Sequence, residues 1–235
     1  MYISRMALNG ARRSAMEVIA SPNKMHAAVE AAFPPLAPSA SASGDEDGRI
    51  LWRIDPVPGE GRVAWLYVVS PRRPDFTHLC EQVGWPVEGG WECKDYSGLF
   101  VKLSKGQIWH FRLKANPVRK VLKDRGRSVN DSVVGSLQGH VTAQQQMGWL
   151  LKRAEHHGFK IHNDAAGFPQ LAVSQRDKVT FGHSGSKVTL TTAVFDGLLE
   201  VTDEVALWHA LCFGIGRAKA FGCGLMTIAP PSRDL

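Results

Sequence analysis

Gly-Ile-Gly-Arg-Ala-Lys-Ala-Phe-Gly-Cys-Gly, residues 214 to 224, is the most constrained stretch of this chain: Gly214, Gly216, Gly222 and Gly224 interleave with Arg217, Lys219 and Phe221. Glycine admits positive φ and lets another backbone come close, so such a loop can bring N–H donors and two cations against a polyanion. What flanks the loop decides the fold. Asp203 caps an apolar, helix-like run from Val205 to Phe213, and Leu225 to Ala229 after the loop reads as a strand. A P-loop needs the reverse order, strand before helix, with Gly-x-x-x-x-Gly-Lys-Ser/Thr. A dinucleotide-binding Gly-x-Gly-x-x-Gly also fails, because Lys219 and Thr227 stand where third glycines belong. Nucleoside triphosphate and dinucleotide binding are therefore set aside. The bland alternative is a helix-to-strand connector whose cations face water.

Working back from the loop, Val188 to Phe195 and Leu198 to Val201 read as a hairpin turning at Asp196-Gly197. Thr142 with Gln145 predicts a capping box for a helix whose Ala143, Met147, Leu150, Leu151 and Ala154 form the buried stripe, ended by Gly158. Gln107 to Ala115 alternates, with Trp109, Phe111, Leu113 and Ala115 on one face and Ile108, His110, Arg112 and Lys114 on the other. One face is core and the other largely cationic. This half reads as βαββαβ.

The first half reads the same way. Residues 1 to 9 are apolar on both faces, as in a buried central strand. Ser21-Pro22 gives an N-cap and a first-turn proline for a helix whose Met25, Ala28, Val29, Ala32 and Phe33 make one stripe, with Asn23, His26 and Glu30 on the adjoining face. Residues 34 to 48, rich in Pro, Ser and Ala, predict a mobile loop. Strand signals follow at Ile50 to Asp55 and Arg62 to Ser70, and a helix at Asp75 to Trp85. The expectation is an α+β protein of two units, 1–92 carrying the His26 helix and 93–235 carrying the basic segment, the hairpin and the glycine-rich loop.

Composition sets the partner class. The 235 residues carry a net charge of +6 with 21% charged residues, which describes a folded protein with a basic surface and polyanionic partners. The cysteines at 80, 93, 212 and 223 have neither C-x-x-C nor zinc-ribbon spacing and predict reduced thiols in a cytoplasm. There is no signal-peptide pattern and no apolar run of about 18 residues, so no membrane role is expected.

The cationic candidates are concentrated. Arg112, Lys114, Arg119, Lys120, Lys123, Arg125 and Arg127 stand against the single acid Asp124, a pattern suited to following phosphates, and Lys178, His183 and Lys187 extend it. His156, His157 and His162 lack a carboxylate or cysteine at ligand spacing and read as cations at a helix C-terminus rather than a metal site. No Ser-His-Asp order, clustered carboxylates or cysteine nucleophile stands out. Catalysis on RNA would then be metal-free, without a cofactor. By periodicity alone His26 is an ordinary helix-surface histidine.

Taken together, Met1-Tyr2-Ile3-Ser4, Lys24-Met25-His26, Phe111 to Pro117, Ala193-Val194-Phe195-Asp196-Gly197 and the loop from Gly214 to Leu225 resemble the CasE family of CRISPR RNA endoribonucleases, over nearly the whole chain. The resemblance implies two tandem ferredoxin-like (RRM-like) domains and binding to the repeat stem-loop of precursor CRISPR RNA. It implies one cut at the 3′ base of the stem and retention of the mature RNA within the Cascade complex, beside its other subunits. It places the catalytic histidine at His26, and puts Asn116, Gly214, Gly216, Arg217, Lys219, Gly222 and Gly224 with the basic residues as RNA-binding candidates. Some members carry a tyrosine three residues before that histidine and a lysine shortly after it; here those positions are Asn23 and Ala31. The second proton-transfer group is thus open, with Asn23 and Lys24 as candidate assistants and a non-catalytic RNA-binding subunit as the alternative function.

Overall fold

The first half of the chain runs β1 (Tyr2–Asn9), α1 (Arg13–Ile19), α2 (Pro22–Glu30), β2 (Leu51–Pro56), β3 (Val63–Ser70), α3 (Thr77–Val83) and β4 (Trp91–Asp95). In this computed structural model, residues 1–33, 48–85, 90–121, 135–183 and 185–231 are described. The Pro/Ser/Ala-rich stretch lies almost wholly outside them. The four strands form one antiparallel sheet in the order β2-β3-β1-β4. Apolar on both faces, β1 takes the interior position its sequence predicts, registered against β3 and β4. Because β4 continues to Asp95, opposite Tyr2, the first sheet extends past residue 92, the boundary expected from sequence. Met25 and Val29 of α2 are fully buried against this sheet, each contributing about 1.5–3 kcal/mol.

A short α4 (Ser97–Phe100) leads into the second half: β5 (Ile108–Ala115), β6 (Val118–Lys120), β7 (Leu137–Gly139), α5 (Ala143–Ala154), β8 (Phe159–Ile161), β9 (Leu171–His183), β10 (Ser186–Val201), α6 (Glu204–Phe213) and β11 (Met226–Ala229). The second sheet is ordered β11-β5-β10-β8, with β9 also on β10. Along one edge of β10, β8 pairs with Leu199–Val201 and β9 with Ser186–Gly197, so one strand of the βαββαβ plan is split in two. Both halves thus have the ferredoxin-like order. A separate ribbon, β6 with β7, stands between β5 and α5.

Two sequence expectations are corrected here. Asp196-Gly197 is not a turn: β10 runs unbroken through it, and the reversal falls between His183 and Ser186. Asp196 sits opposite Arg112 and binds it, and a Cβ at Gly197 would lie 2.2 Å from the Gln170 carbonyl oxygen, so this glycine serves close backbone approach. The buried stripe of α5 is also rotated. Gln146, Trp149, Leu150 and Ala154 face inward while Leu151 is exposed. Trp149 stacks on Phe195 and Gln146 donates to the His140 carbonyl at 2.9 Å, contacts that outweigh one more buried leucine. The Thr142–Gln145 capping box is present as read.

The two sheets share a core. Leu51 and Val69 of the first pack in one cluster with Phe111, Leu113 and Phe195 of the second and with Leu211 of α6. At its edge Arg53 is 2% exposed. Its guanidinium grips Asp55 at 2.8–3.1 Å and donates to the carbonyl oxygens of Arg112 (2.8 Å) and Leu225 (3.0 Å) and to Thr227 Oγ1 (2.9 Å). A planar fork with five donors suits a site walled by acceptors from both sheets.

Candidate nucleic-acid interface and active site

The helix carrying His26 is fixed from its first residue. Ser21 Oγ accepts from the Lys24 amide at 3.3 Å, and Pro22 fills the first turn, where no N–H is needed. With Met25 and Val29 buried, Asn23 and His26 are held along the flank that meets the second half of the chain, and Glu30 lies one turn on from His26. The His26 side chain is 30% exposed, with Nδ1 3.8 Å from Glu30 Oε1. That nitrogen is buried and has no hydrogen-bond partner among the described residues, which leaves Nε2 as the nitrogen available to a substrate. Lys24 points away, its Nζ 3.8 Å from Glu17.

Facing α2 is the glycine-rich loop, where Lys219–Phe221 form one 3-10 turn. The indole N–H of Trp52 donates to the Ala220 carbonyl at 3.2 Å, tying the turn to β2. Gly222 has φ 75°, and a Cβ there would lie 2.6 Å from the Trp52 ring, so only glycine lets the loop close on the indole. The turn presents the Phe221 ring, which meets His26 edge-on at 6.2 Å between centroids, His183 at 5.3 Å and Phe181 at 4.8 Å. His183 Nδ1 lies 3.0 Å from Asn23 Oδ1. An amide oxygen can only accept, so the His183 proton sits on Nδ1. α2, the β9–β10 hairpin and the glycine loop thus converge on one phenyl ring.

The loop itself departs from a simple phosphate cradle. Gly214, Gly222 and Gly224 are buried, and the Gly214 and Gly224 amides already donate to Ala210 (2.9 Å) and Lys114 (2.7 Å). Gly216 and Lys219 are half-buried, and Arg217 is exposed. Burial, with Arg49 nearby, pushes the Lys219 ammonium down from its usual range.

The basic strand residues fall into distinct groups. Arg112 Nε donates to Asp196 at 2.6 Å, with Asp55 3.9 Å from its Nη1, so its charge is compensated within the protein. Asn116 is 6% exposed and its Oδ1 accepts from the Thr191 amide at 3.2 Å. Lys114 is half-buried, while Arg119 and Lys120 on β6 and Lys178 and Lys187 on the β9–β10 hairpin are exposed. Lys123, Arg125 and Arg127 lie outside the described residues.

Behind the loop, burial together with His156, His209, Lys219 and Arg153 pushes His157 down to about 4. Among the described residues no group of three or more His, Cys, Asp or Glu is placed to hold a metal ion, and no helix is long and apolar enough to cross a membrane.

Sequence reasoning marked His26, Asn23 and His183 separately but missed that Phe221 meets both histidines, that Asn23 binds one of them, and that Trp52 holds the turn carrying Phe221. The signal for Arg53 was present: an arginine two residues from an aspartate in an otherwise apolar strand, side chains on one face.

With this geometry in place, likeness to characterised proteins becomes informative. The chain is 28% identical over 237 residues to the CRISPR-associated endoribonuclease Cse3 of Thermus thermophilus, covering 98% of this chain and all of that protein. It is 29% identical over 130 residues to the CRISPR system Cascade subunit CasE of Escherichia coli K12, covering 55% of this chain and 61% of that one. Its fold superposes on CRISPR endoribonuclease Cse3 bound to a 19-nucleotide RNA with a TM-score of 0.75 at 26% identity, over 98% of this chain and all of the other. Residues 1–230 match the family described as CRISPR associated protein, and the chain belongs to that family.

Proposed function

We propose that this protein is an endoribonuclease that processes CRISPR RNA, cutting at the 3′ base of the repeat stem-loop and remaining on the product as a Cascade subunit. The reaction is metal-independent and is carried by His26. The ribose 2′-OH attacks the adjacent phosphorus, leaving a 2′,3′-cyclic phosphate and a 5′-hydroxyl. This requires a proton removed from one oxygen and one delivered to another, and an imidazole performs either transfer near neutral pH. The protein acts in the cytoplasm, in keeping with its four unpaired cysteines.

The observation that carries this reading is the placement of His26. Its ring stands on a helix locked by a cap and a buried stripe, with Nδ1 buried and the ring edge-on to Phe221 of the second half. The RNA-bound relative and the match along the whole chain support the substrate class. Arg119, Lys120, Lys178, Lys187, Arg217 and Lys219 supply the charge that follows the strand, with shape and phosphate recognition dominating in an A-form stem. The test is single-turnover cleavage of the CRISPR-repeat hairpin RNA of the source genome in EDTA. Wild type cuts, while His26→Ala binds the hairpin and cuts it about 10²- to 10⁴-fold more slowly. Binding without any cutting by wild type would make this a non-catalytic RNA-binding subunit.

A further inference from the structure

We propose that His183 is the second proton-transfer group of this site, acting as general base opposite His26 as general acid, and that Asn23 is its positioning residue. The proposal rests on the reading of His26 given above.

Two imidazoles from different halves of the chain meet the same ring edge-on: His26 from α2 and His183 from the end of β9, at 6.2 and 5.3 Å from the Phe221 centroid. Asn23 lies three residues before His26 on α2, on the same face, where neighbouring Cβ atoms are about 5–6 Å apart. Its Oδ1 holds His183 Nδ1 at 3.0 Å. Asn23 therefore ties the second imidazole to the helix that carries the first, one turn before His26. Two imidazoles anchored to one helix face and one phenyl ring are placed to serve the entering and leaving oxygens of one phosphate.

The neighbours of the two rings also divide the roles. With its proton held on Nδ1, neutral His183 offers the Nε2 lone pair, which is the form a base needs. His26 has its buried Nδ1 3.8 Å from Glu30, a contact that becomes an ion pair when the ring is protonated, leaving Nε2–H to donate. In the step, His183 Nε2 takes the 2′-OH proton as the 2′-oxygen bonds to phosphorus. The P–O5′ bond breaks, and His26 Nε2–H passes its proton to the departing 5′-oxygen. The products are the cyclic phosphate, the 5′-hydroxyl, protonated His183 and neutral His26, and proton exchange with water resets the pair. Asn23, standing where some CasE members carry a tyrosine, is then a substitution of means: the hydroxyl is replaced by an imidazole brought in by the hairpin.

The experiment is single-turnover cleavage of the source genome's repeat hairpin RNA, both as ordinary RNA and with sulfur in place of the bridging 5′-oxygen at the scissile linkage. A thiolate leaves without a proton, since a thiol is far more acidic than the corresponding alcohol (about 8.5 for the thiol of Cys), so this substrate bypasses the general acid. His183→Ala and His183→Asn are each expected to lose about 10²- to 10⁴-fold on ordinary RNA while still binding it. Asn retains a donor at the place of Nδ1 and so preserves the Asn23 contact while removing Nε2. Sulfur is expected to restore His26→Ala and neither His183 variant. Wild-type cutting by His183→Asn makes the contact purely structural and overturns the proposal. Rescue of the His183 variants in place of His26→Ala overturns the assigned roles. Wild-type cutting of ordinary RNA by His26→Ala would instead remove the reading beneath it, and the pair with it.

Discussion

The guanidinium of Arg53, buried in the first sheet, donates to the main-chain carbonyl oxygen of Arg112 in the second at 2.8 Å. The bond does not depend on the side chain at residue 112. It makes the relative placement of the sheets a matter of backbone geometry, and the meeting of His26, Phe221 and His183 inherits that placement.

Arg53→Met tests this tether. Removing the cation leaves Asp55, whose carboxylate is about a tenth exposed, with only Arg112 Nη1 at 3.9 Å among the described residues, and three acceptors of the second half lose a donor. Breaking a buried pair in this way costs about 3–5 kcal/mol. Urea denaturation should show that loss, and a change below about 1 kcal/mol would mean that water or Arg112 replaces the fork.

Gly222→Ala should damage the site through packing. The residue is held at φ 75°, and an added methyl would meet the Trp52 ring at 2.6 Å. The turn carrying Phe221 would have to move, so cleavage of the repeat hairpin should fall together with stability, the left-handed conformation alone costing about 1 kcal/mol or more. Gly59 is the internal control. It has φ 79° with nothing within 4 Å of its Cβ position, so Gly59→Ala should cost stability by strain alone and leave cleavage intact. Equal loss of cleavage in both variants would refute the packing argument.

His157 gives stability an acid limb. Its folded value is lowered to about 4 from 6.5, first by burial and then by His156, His209, Lys219 and Arg153. As pH falls below 6.5 the unfolded chain takes up this proton while the folded chain resists it, so the unfolded state binds more protons through the window from 6.5 to 4. Stability therefore falls as pH drops through that window and stops falling, for this group, below it. His157→Gln should flatten the curve. Thermal midpoints of both proteins from neutral pH to pH 4 measure the difference, and parallel curves across the window would dismiss it.

Local signals were legible where one residue decides its own neighbourhood. The Ser21-Pro22 helix start, the Thr142–Gln145 box and the alternation of β5 depend on spacing along the chain, and all are present. The ferredoxin-like order of both halves and the family followed from combined motifs. What escaped were relations between distant segments. Asp196-Gly197 has hairpin-turn chemistry, but Arg112 and the Gln170 backbone claim it for a continuous strand. The glycine loop looked like a phosphate cradle, yet two of its amides are spent on Ala210 and Lys114. Phe221 carries no local mark of importance. Its role exists only because Trp52, 169 residues earlier, holds the neighbouring carbonyl of Ala220.

The same long-range pairing separates the cations that RNA should feel from those it should not. Lys178 and Lys187 are exposed and have no ion-pair partner among the described residues, so a phosphate that reaches either one exchanges a condensed counterion for it. Arg112 is already compensated by Asp196 at 2.6 Å, with Asp55 nearby. Lys178→Ala or Lys187→Ala should each reduce the slope of log binding constant against log salt by about 0.7–0.9 and weaken binding to any hairpin of similar shape. Arg112→Ala should leave the slope nearly unchanged while lowering stability, because it strands Asp196. Titrations of the repeat hairpin at several salt concentrations, with a denaturation curve for each variant, measure both effects. A slope that drops for Arg112→Ala as much as for the lysine variants would show that RNA displaces the carboxylates and recruits that guanidinium.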